Sequence, residues 1–308
     1  MFKTTGFYAR LIIPAFLALA LVIAPSLTSA NLQEQKKADA KKEGKAPDAK
    51  EAAKKDQKAG EPKVEYTQAE IIAEYAIIAY GTREQLQKAR ASIREEGNIR
   101  LASDQGDITG THLLRSMRRD KSWQDLLRVD LELNPPEAAQ RQGAPSSIKY
   151  VAAFNGASMW SAQNGQYVTP RPEVQAAFLA QLTHDYTTLL RYKEDGSKLE
   201  YKGQETVVGL PAHVIELTTP NGEKTKYYIS TKSYRILHLD YELKLSDDQP
   251  PTKYRISYYY TPLKVVQNTL VPTRRVITQD GKFVQEITFV SADYSAKLDP
   301  EIFQHLQE

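Results

Sequence analysis

The fold is decided at residues 235–245, which read RILHLDYELKL. Apolar side chains stand at every second position from Leu237 to Leu245, and polar side chains stand between them, from His238 to Lys244. A β-strand repeats every two residues, so this alternation predicts a strand with one buried face and one wet face. Antiparallel sheets commonly pack a single face on a core in this way. The question for function is therefore what covers the apolar face.

The same alternation recurs along much of the chain, and we predict about ten or eleven strands between Ile99 and Val290. The dipeptide Asn155-Gly156 between two apolar runs is the strongest hairpin signal, because tight hairpin turns need residues that tolerate a positive φ. So many antiparallel strands in one sheet must curl or close. The predicted fold class is mainly β with some α: an incomplete, strongly curved antiparallel β-barrel with helices covering the concave face.

Three helices are predicted to supply this cover. Residues 67–70, Thr-Gln-Ala-Glu, form a capping box that starts an apolar helix, and Gly81 ends it. A second helix is predicted over residues 82–97 and a third over residues 174–182. The first helix has only a narrow polar stripe, so most of its surface must be covered.

The first thirty residues have the pattern of a signal peptide. Lys3 and Arg10 give a positive start, residues 11–24 are apolar, and residues 28–30 (Thr-Ser-Ala) supply the small side chains of a cleavage site. We expect residues 1–30 to be removed on export, which predicts a periplasmic protein. The alternative is an uncleaved inner-membrane anchor, since this stretch is about long enough to span a bilayer.

Residues 31–65 are Lys, Ala, Glu, Asp and Gln with almost no large apolar side chains. Such a composition cannot bury enough apolar surface to offset the entropy of ordering the chain. We predict a disordered tether here and one folded domain over residues 66–308. A polybasic membrane arm is the alternative, and the acidic residues among the lysines weigh against it.

Composition excludes several classes of function. The formal net charge is +3, and it falls to +1 when Lys3 and Arg10 leave with the signal peptide, which argues against a nucleic-acid binder. The chain has no cysteine, so thiol catalysis and cysteine-ligated zinc are excluded. An exported protein without disulfides must rely on its apolar core for stability.

Motifs for catalysis are missing from the sequence. No pair of histidines has the spacing of a zinc protease helix, and neither a nucleophile elbow nor a phosphate-binding glycine loop is present. His238 falls on the predicted wet face and is expected to be a surface residue. The acidic turn at residues 104–107 is expected to be an ordinary turn. We therefore predict a protein that is not an enzyme and that uses no metal or cofactor.

Several short patterns occur in an order that resembles a known family. They are Tyr80-Gly81, residues 87–93 (QKARASI), residues 154–160 (FNGASMW), residues 201–212 (YKGQETVVGLPA), residues 227–234 (YYISTKSY), residues 268–273 (NTLVPT) and residues 298–303 (LDPEIF). Together they resemble the outer-membrane lipoprotein carriers (LolA-like) and their lipoprotein-sorting relatives, among them the sensor domains of MucB/RseB-type proteins. Ser230 stands where the family usually has Asp.

The resemblance implies a function for the concave face. It implies a periplasmic carrier that encloses acyl chains of lipoproteins or lipids and moves them toward the outer membrane, with release and acceptor proteins in the two membranes as further partners. The competing hypothesis is a non-catalytic envelope module of the same fold, structural or sensory, that docks a protein partner.

Candidate lining residues follow from the apolar faces of the predicted strands, with the first helix as a lid. Any one of them could equally be plain core. The candidates for the cavity and its lid are Ile71, Tyr75, Ile78, Trp123, Phe154, Trp160, Leu237, Leu239, Tyr241, Leu243, Tyr254, Ile256, Tyr258, Ile287 and Phe289.

Overall fold

Thirteen strands pair into one antiparallel sheet, and two more form a separate hairpin, among the residues that a computed structural model describes: 65–245, 250–259 and 262–304. The predicted signal peptide and nearly all of the predicted tether lie outside these residues. The strands are β1 (Ser92–Leu101), β2 (Ile108–Met117), β3 (Leu126–Asn134), β4 (Ile148–Phe154), β5 (Met159–Gln163), β6 (Gln166–Tyr167), β7 (Lys198–Val207), β8 (Leu210–Thr218), β9 (Lys224–Ser230), β10 (Ile236–Leu243), β11 (Thr252–Ser257), β12 (Leu263–Val266), β13 (Thr269–Pro272), β14 (Arg274–Gln279) and β15 (Lys282–Tyr294).

The sheet consists of two meanders joined at β1. Its order is β6-β5-β4-β3-β2-β1-β15-β14-β11-β10-β9-β8-β7, and the hairpin β12–β13 is inserted between β11 and β14. Strand β1 pairs with its neighbour β2 on one side and with β15 on the other. Strands β6 and β7 remain as the two edges, so the sheet is not closed. The predicted fold class, an incomplete and mainly β barrel with helices, is confirmed.

Six α-helices accompany the sheet in the described part of the chain. They are α1 (Gln68–Tyr80), α2 (Arg83–Ala89), α3 (Glu137–Arg141), α4 (Pro172–Thr183), α5 (Tyr186–Leu190) and α6 (Tyr192–Asp195). Helices α4 to α6 form the connection from one edge strand, β6, to the other, β7. The chain therefore crosses from one edge of the sheet to the other through helices.

Helix α1 begins and ends as its sequence predicts. Thr67 and Glu70 form the capping box, and Gly81 follows the last turn with a φ of 133°. A Cβ at Gly81 would lie 2.7 Å from the Asn268 carbonyl oxygen, so this position needs glycine for its conformation and for its space. The helix packs through Ala69, Ala73 and Ala76, whose small side chains allow a close approach.

The second predicted helix is too long, and the correction has a clear cause. Helix α2 ends at Ala89, and residues 92–101 form the central strand β1. Ile93, Glu95, Ile99 and Leu101 share one face of this strand, so the sequence alternates with period two where a helix was predicted. Register with β15 shifts at Gly97, where a Cβ would lie 2.4 Å from the Thr288 carbonyl oxygen.

Strand β10 departs from the predicted alternation of residues 237–245. The pairing of β10 with β9 shifts between Ile236 and His238, which places one extra residue in β10. Leu237 therefore turns away from Leu239 and packs with Tyr228 in a small separate cluster. His238, predicted to be a surface residue, is buried and stacks on Tyr228 at 3.9 Å between ring centroids.

Two large apolar clusters fill the space between sheet and helices. The first core cluster joins helices α1 and α5 to strands β8–β11, and its members include Tyr80, Leu189, Ile215, Tyr227, Ile229, Leu239 and Tyr254. The second core cluster joins helix α4 to strands β1–β4 and β15, and its members include Ile99, Val129, Leu131, Leu133, Phe178 and Ile287. The interior is thus divided between two halves of the sheet.

A short helical turn near the end of the chain covers the other face of β5. Residues 300–303 form a 3-10 helix whose Phe303 side chain is fully buried. The Phe303 carbonyl oxygen accepts a hydrogen bond of 2.9 Å from the Trp160 indole, and the Arg128 guanidinium lies over the same indole ring. The predicted closing turn at residues 298–303 is therefore a packed element of the domain.

We predict that Phe303→Ala lowers the free energy of unfolding by about 3–5 kcal/mol, because it removes a fully buried aromatic side chain. Urea unfolding monitored by circular dichroism measures this. The emission of Trp160, one of only two tryptophans in the chain, should shift to the red as its cover loosens. Glu301→Ala, in the same turn but exposed, is the control and should leave both signals unchanged. Equal stability of both variants would mean that the turn does not support the domain.

Candidate binding cavity

A cavity of about 110 Å³ lies where the two core clusters meet. Helices α2, α4, α5 and α6 contribute to its walls together with strands β1–β3, β14 and β15. Part of the wall is apolar, with Leu86, Ile93, Leu114, Leu182, Leu190 and Phe289. The rest is polar and charged, with Arg90, Glu95, Asp185, Tyr186, Tyr258 and Arg275. The concave interior therefore holds an ionic group that the alternation of apolar residues did not predict.

Arg90 is held between two tyrosines. Its guanidinium donates a hydrogen bond of 2.8 Å to the Tyr186 hydroxyl and one of 3.4 Å to the Leu270 carbonyl oxygen. The same guanidinium lies 5.2 Å from the centroid of the Tyr186 ring and 4.8 Å from that of Tyr294. Only 6% of Arg90 is exposed. Its place is thus fixed by aromatic contacts, and no carboxylate among the described residues lies within 4 Å of it.

Glu95 faces the same cavity from strand β1. Its only hydrogen bond in the described part of the chain comes from the Tyr294 hydroxyl, at 2.9 Å. Burial raises the pKa of Glu95, although Arg275 and Arg90 act in the opposite direction. The protonated, uncharged form of this carboxyl is therefore favoured more than in water.

Asp185 and Arg275 form the ion pair of the site. Arg275 Nη1 lies 3.3 Å from Asp185 Oδ2, and both side chains are largely buried. The other carboxylate oxygen of Asp185 caps helix α5 by accepting from the Thr187 amide and hydroxyl. The Tyr258 hydroxyl approaches Asp185 Oδ2 at 3.5 Å. Asp185 thereby couples the start of α5 to strand β14.

A further charged group lines the cavity where α6 meets the segment before β3. Arg191 Nη1 lies 2.5 Å from Asp125 Oδ2, and Arg118 pairs with Glu194. Burial raises the pKa of Asp125 to about 6, against the effect of the Arg191 guanidinium, which lowers it. These pairs connect the crossover helices to the first meander of the sheet.

The structure places most of the predicted strand candidates inside the domain. Leu239, Tyr241, Tyr254, Ile256 and Tyr258 belong to the first core cluster, and Leu243 packs against it. Ile287 belongs to the second core cluster, with Phe154 and Phe289 packed against its edge. Of all these side chains, Tyr258 and Phe289 line the 110 Å³ cavity.

Some of the predicted candidates lie elsewhere. Trp160 belongs to a small cluster of its own under the closing turn, and Leu237 is displaced by the bulge in β10. Trp123 is half-buried in a 3-10 turn before β3. The predicted lid residues Ile71, Tyr75 and Ile78 are 45%, 48% and 61% exposed, because α1 packs through its alanine-rich face and turns these three outward.

Tyr241, Leu243 and Tyr254 also border a second, open depression of about 950 Å³ at the ends of β9–β11. His184, the residue that follows α4, adds a further ring to the border of this depression. The remaining border is largely charged. The depression therefore runs around the strand ends, with Tyr241, Leu243 and Tyr254 on the side of the first core cluster and Tyr228 on the side of its small separate cluster.

Sequence reasoning missed the ionic residues, although a signal was present for two of them. Glu95 alternates with Ile93 and Ile99 in β1, and Arg275 alternates with Ile277 in β14, so each is a charged residue on an apolar face. Because a helix was predicted over residues 82–97, the alternation around Glu95 was not read as a strand. Arg90 and Asp185 have no such signal, because each lies in a connection between regular elements, where no alternation marks a buried face.

Two histidines are also buried inside the domain. His184 stacks on Tyr241 with 4.0 Å between ring centroids, and its Nδ1 lies 2.7 Å from the Thr225 hydroxyl. Burial lowers the pKa of His184 to about 4. His112 lies edge-on to Phe289, and burial lowers its pKa to about 3. Both are therefore neutral, packed side chains at neutral pH.

The part of the chain that the structure describes contains no group of three metal-ligating side chains. Within the same residues, no helix combines the length and the apolar composition needed to cross a bilayer.

Comparison with known proteins returns solved structures only, since no family model and no curated protein matches the chain. The LolA superfamily protein NE2245 from Nitrosomonas europaea is similar over 78% of this chain and 99% of its own, with a TM-score of 0.47 and 14% identity. A DUF1329 family protein from Desulfovibrio piger is similar over 77% and 97%, with a TM-score of 0.47 and 12% identity.

A domain assigned to an outer membrane lipoprotein-sorting protein from Vibrio parahaemolyticus is similar over 77% of this chain and 97% of its own. Its TM-score is 0.46 and the identity is 11%. The names of the Nitrosomonas and Vibrio proteins are those of the group that the sequence patterns resemble. At such identities the likeness concerns the path of the chain and leaves the cargo open.

We predict that His184 contributes a loss of stability as the pH falls below about 6.5, where a histidine of the unfolded chain takes up a proton and buried His184 does not. The stability that a neutral His184 contributes is complete above that pH and is lost as the pH falls toward its folded pKa of about 4. Between pH 6.5 and 5 this amounts to about 2 kcal/mol for one such histidine. Urea unfolding at several pH values measures the slope.

His184→Gln should make this slope shallower, whatever its effect on stability at pH 7. His213→Gln is the matched control, because His213 is half-buried and contributes less to the slope. An unchanged slope in His184→Gln would show that His184 takes up a proton in the folded domain.

Proposed function

We propose that this protein is a periplasmic carrier that encloses an acyl chain of a lipoprotein or lipid between its sheet and its crossover helices. The observation that supports this most strongly is the divided interior: an unclosed sheet, covered by helices, with a cavity where its two apolar clusters meet. Enclosure needs no catalytic group, because burial of apolar surface supplies the binding free energy.

The cavity must enlarge to accept a chain. Its volume of about 110 Å³ is below the roughly 300–1,000 Å³ of typical ligand pockets. Helix α4 is the element best suited to move, because Leu179 and Leu182 are only half-buried against the second core cluster. Phe178 is its one large side chain that is fully buried there.

The free energies make this exchange feasible. Exposing Phe178 costs about 1.5–3 kcal/mol, whereas each buried methylene of an acyl chain contributes about 0.8 kcal/mol. Ten methylenes therefore offset the displacement of α4 with several kcal/mol to spare. The signal peptide and the tether that the sequence predicts at residues 1–30 and 31–65 would suit a carrier that works away from the inner membrane.

A second candidate function has its own observation. Ile71, Tyr75 and Ile78 form an exposed apolar stripe on α1, and the Tyr75 ring contacts the Tyr234 ring at a tilt, with 4.8 Å between their centroids. Such a stripe suits the docking of a protein partner, as in a structural or sensor module of the envelope. In that case the interior would remain filled by its own side chains.

We expect acyl lipid to co-purify with the protein isolated from the periplasm, as measured by native mass spectrometry and lipid extraction. Leu182→Asp places a carboxylate at the cavity wall on α4 and should lower lipid occupancy at least tenfold. Val290→Asp, on an exposed position of β15, is the matched control and should retain full occupancy. Thermal unfolding of both variants confirms that each is folded.

Equal occupancy in the two variants would exclude this cavity as the acyl site. If no lipid co-purifies and none binds when added, the carrier proposal fails. If, in addition, the unmodified protein captures a protein partner without bound lipid and Ile78→Ser loses that partner, the docking module is supported.

A further inference from the structure

The two buried arginines Arg90 and Arg275 at the cavity differ in their partners. Arg90 and Arg275 are 6% and 9% exposed, and Arg275 has the carboxylate of Asp185 beside it, whereas the hydrogen bonds of Arg90 within the described residues go to a hydroxyl and a carbonyl oxygen. A buried charge without a counter-ion costs several kcal/mol, so a protein keeps one where something compensates it. The tyrosine rings offset part of this cost.

Glu95 faces the same cavity but forms no ion pair with Arg90. It forms no salt bridge among the described residues, its hydrogen bond comes from Tyr294, and burial favours its protonated form. The other arginines of the lining have carboxylate partners: Arg118 pairs with Glu194, Arg191 with Asp125 and Arg83 with Glu74. Among the described residues of the lining, Arg90 is thus the arginine without an ion pair, and an anionic group of a ligand could supply one.

Unsatisfied donors point to the same conclusion. The Nε groups of Arg90 and Arg275 are both buried, and neither has a hydrogen-bond acceptor in the described part of the chain. Buried N–H groups are almost always paired, and each unpaired group costs about 1–3 kcal/mol. A carboxylate offers two acceptor oxygens in the planar arrangement that guanidinium groups bind well.

The walls beside these arginines are apolar. Phe289 lies under the Arg275 guanidinium at 5.5 Å, and Leu114 and Leu182 line the cavity on the side of the second core cluster. A charged head group held by the arginines would thus have its tail directed among apolar side chains. A volume of about 110 Å³ suits a head group and its first methylenes, not a bulky phosphate-sugar or peptide group.

We propose that the cavity is a head-group site for the carboxylate of a single-chain amphiphile, a fatty-acid anion, with Arg90 as its counter-ion and Arg275 as a second donor. This rests on the proposed carrier function and specifies its cargo: the acyl chain enters with a free carboxylate. A diacyl lipid or the amide-linked chain of a lipoprotein lacks this group.

The test compares dodecanoate with 1-dodecanol, which share the tail and differ in head-group charge. Isothermal titration calorimetry with the delipidated protein should show dodecanoate binding at least tenfold more tightly. Arg90→Met should weaken dodecanoate at least tenfold and leave dodecanol unchanged. Arg94→Met, which removes an exposed arginine of the same strand region, is the matched control and should leave both affinities unchanged.

Each result has a distinct meaning. Equal affinity for both ligands in the unmodified protein overturns the head-group site and leaves the carrier function standing. Absence of binding by either ligand overturns the carrier function itself. A preference for dodecanoate that persists in Arg90→Met excludes Arg90 as the counter-ion. If thermal unfolding shows that Arg90→Met does not fold, Arg90→Lys replaces it as the variant, since it keeps the charge. The ratio of the dodecanoate affinity to the dodecanol affinity in the unmodified protein then decides whether the head-group site exists.

Discussion

The pairing of β1 with β15 is the constraint on which the rest of the structure depends. It joins two meanders that are otherwise continuous only through helices α4 to α6. Without it, each half-sheet would expose its apolar face, and the two core clusters would not meet. Such contacts between distant parts of a chain close a long loop. The entropy that the chain loses on closing this loop is offset only when the whole interior packs. Gly97 permits the close approach of the two strands at their bulge.

The functional candidate arises at this same junction. Glu95 reaches the cavity from β1 and Arg275 reaches it from β14, while Arg90 and Asp185 come from connections that cross the interior. A polar group in such a place costs stability, and the tyrosines around it reduce that cost by hydrogen bonds and ring contacts. A mixed site of this kind suits an amphiphile better than a purely apolar molecule, since both ends of the ligand find complementary walls.

Helix α1 shows how packing redistributes an apolar sequence. Its alanines are buried together with Ile72, Ile77 and Tyr80, whereas Ile71, Tyr75 and Ile78 remain outside. The helix is apolar nearly all round, so hydrophobicity does not determine which of its faces packs against the interior. The face that packs is the one whose mixture of small and large side chains fills the space against the sheet. The same helix thereby provides both the cover of the interior and an exposed surface.

The sequence by itself determined the strand-rich class, the capped first helix and the apolar side of most strands, because period-two alternation and capping chemistry are local. It also placed Leu239, Tyr254 and Ile256 correctly in the core. Tertiary structure alone decided that Leu237 leaves that face, since a bulge depends on the partner strand. It alone brought Arg90, Glu95 and Arg275 to one cavity. Their meeting depends on strand order and register between distant segments, and local periodicity contains no information about either.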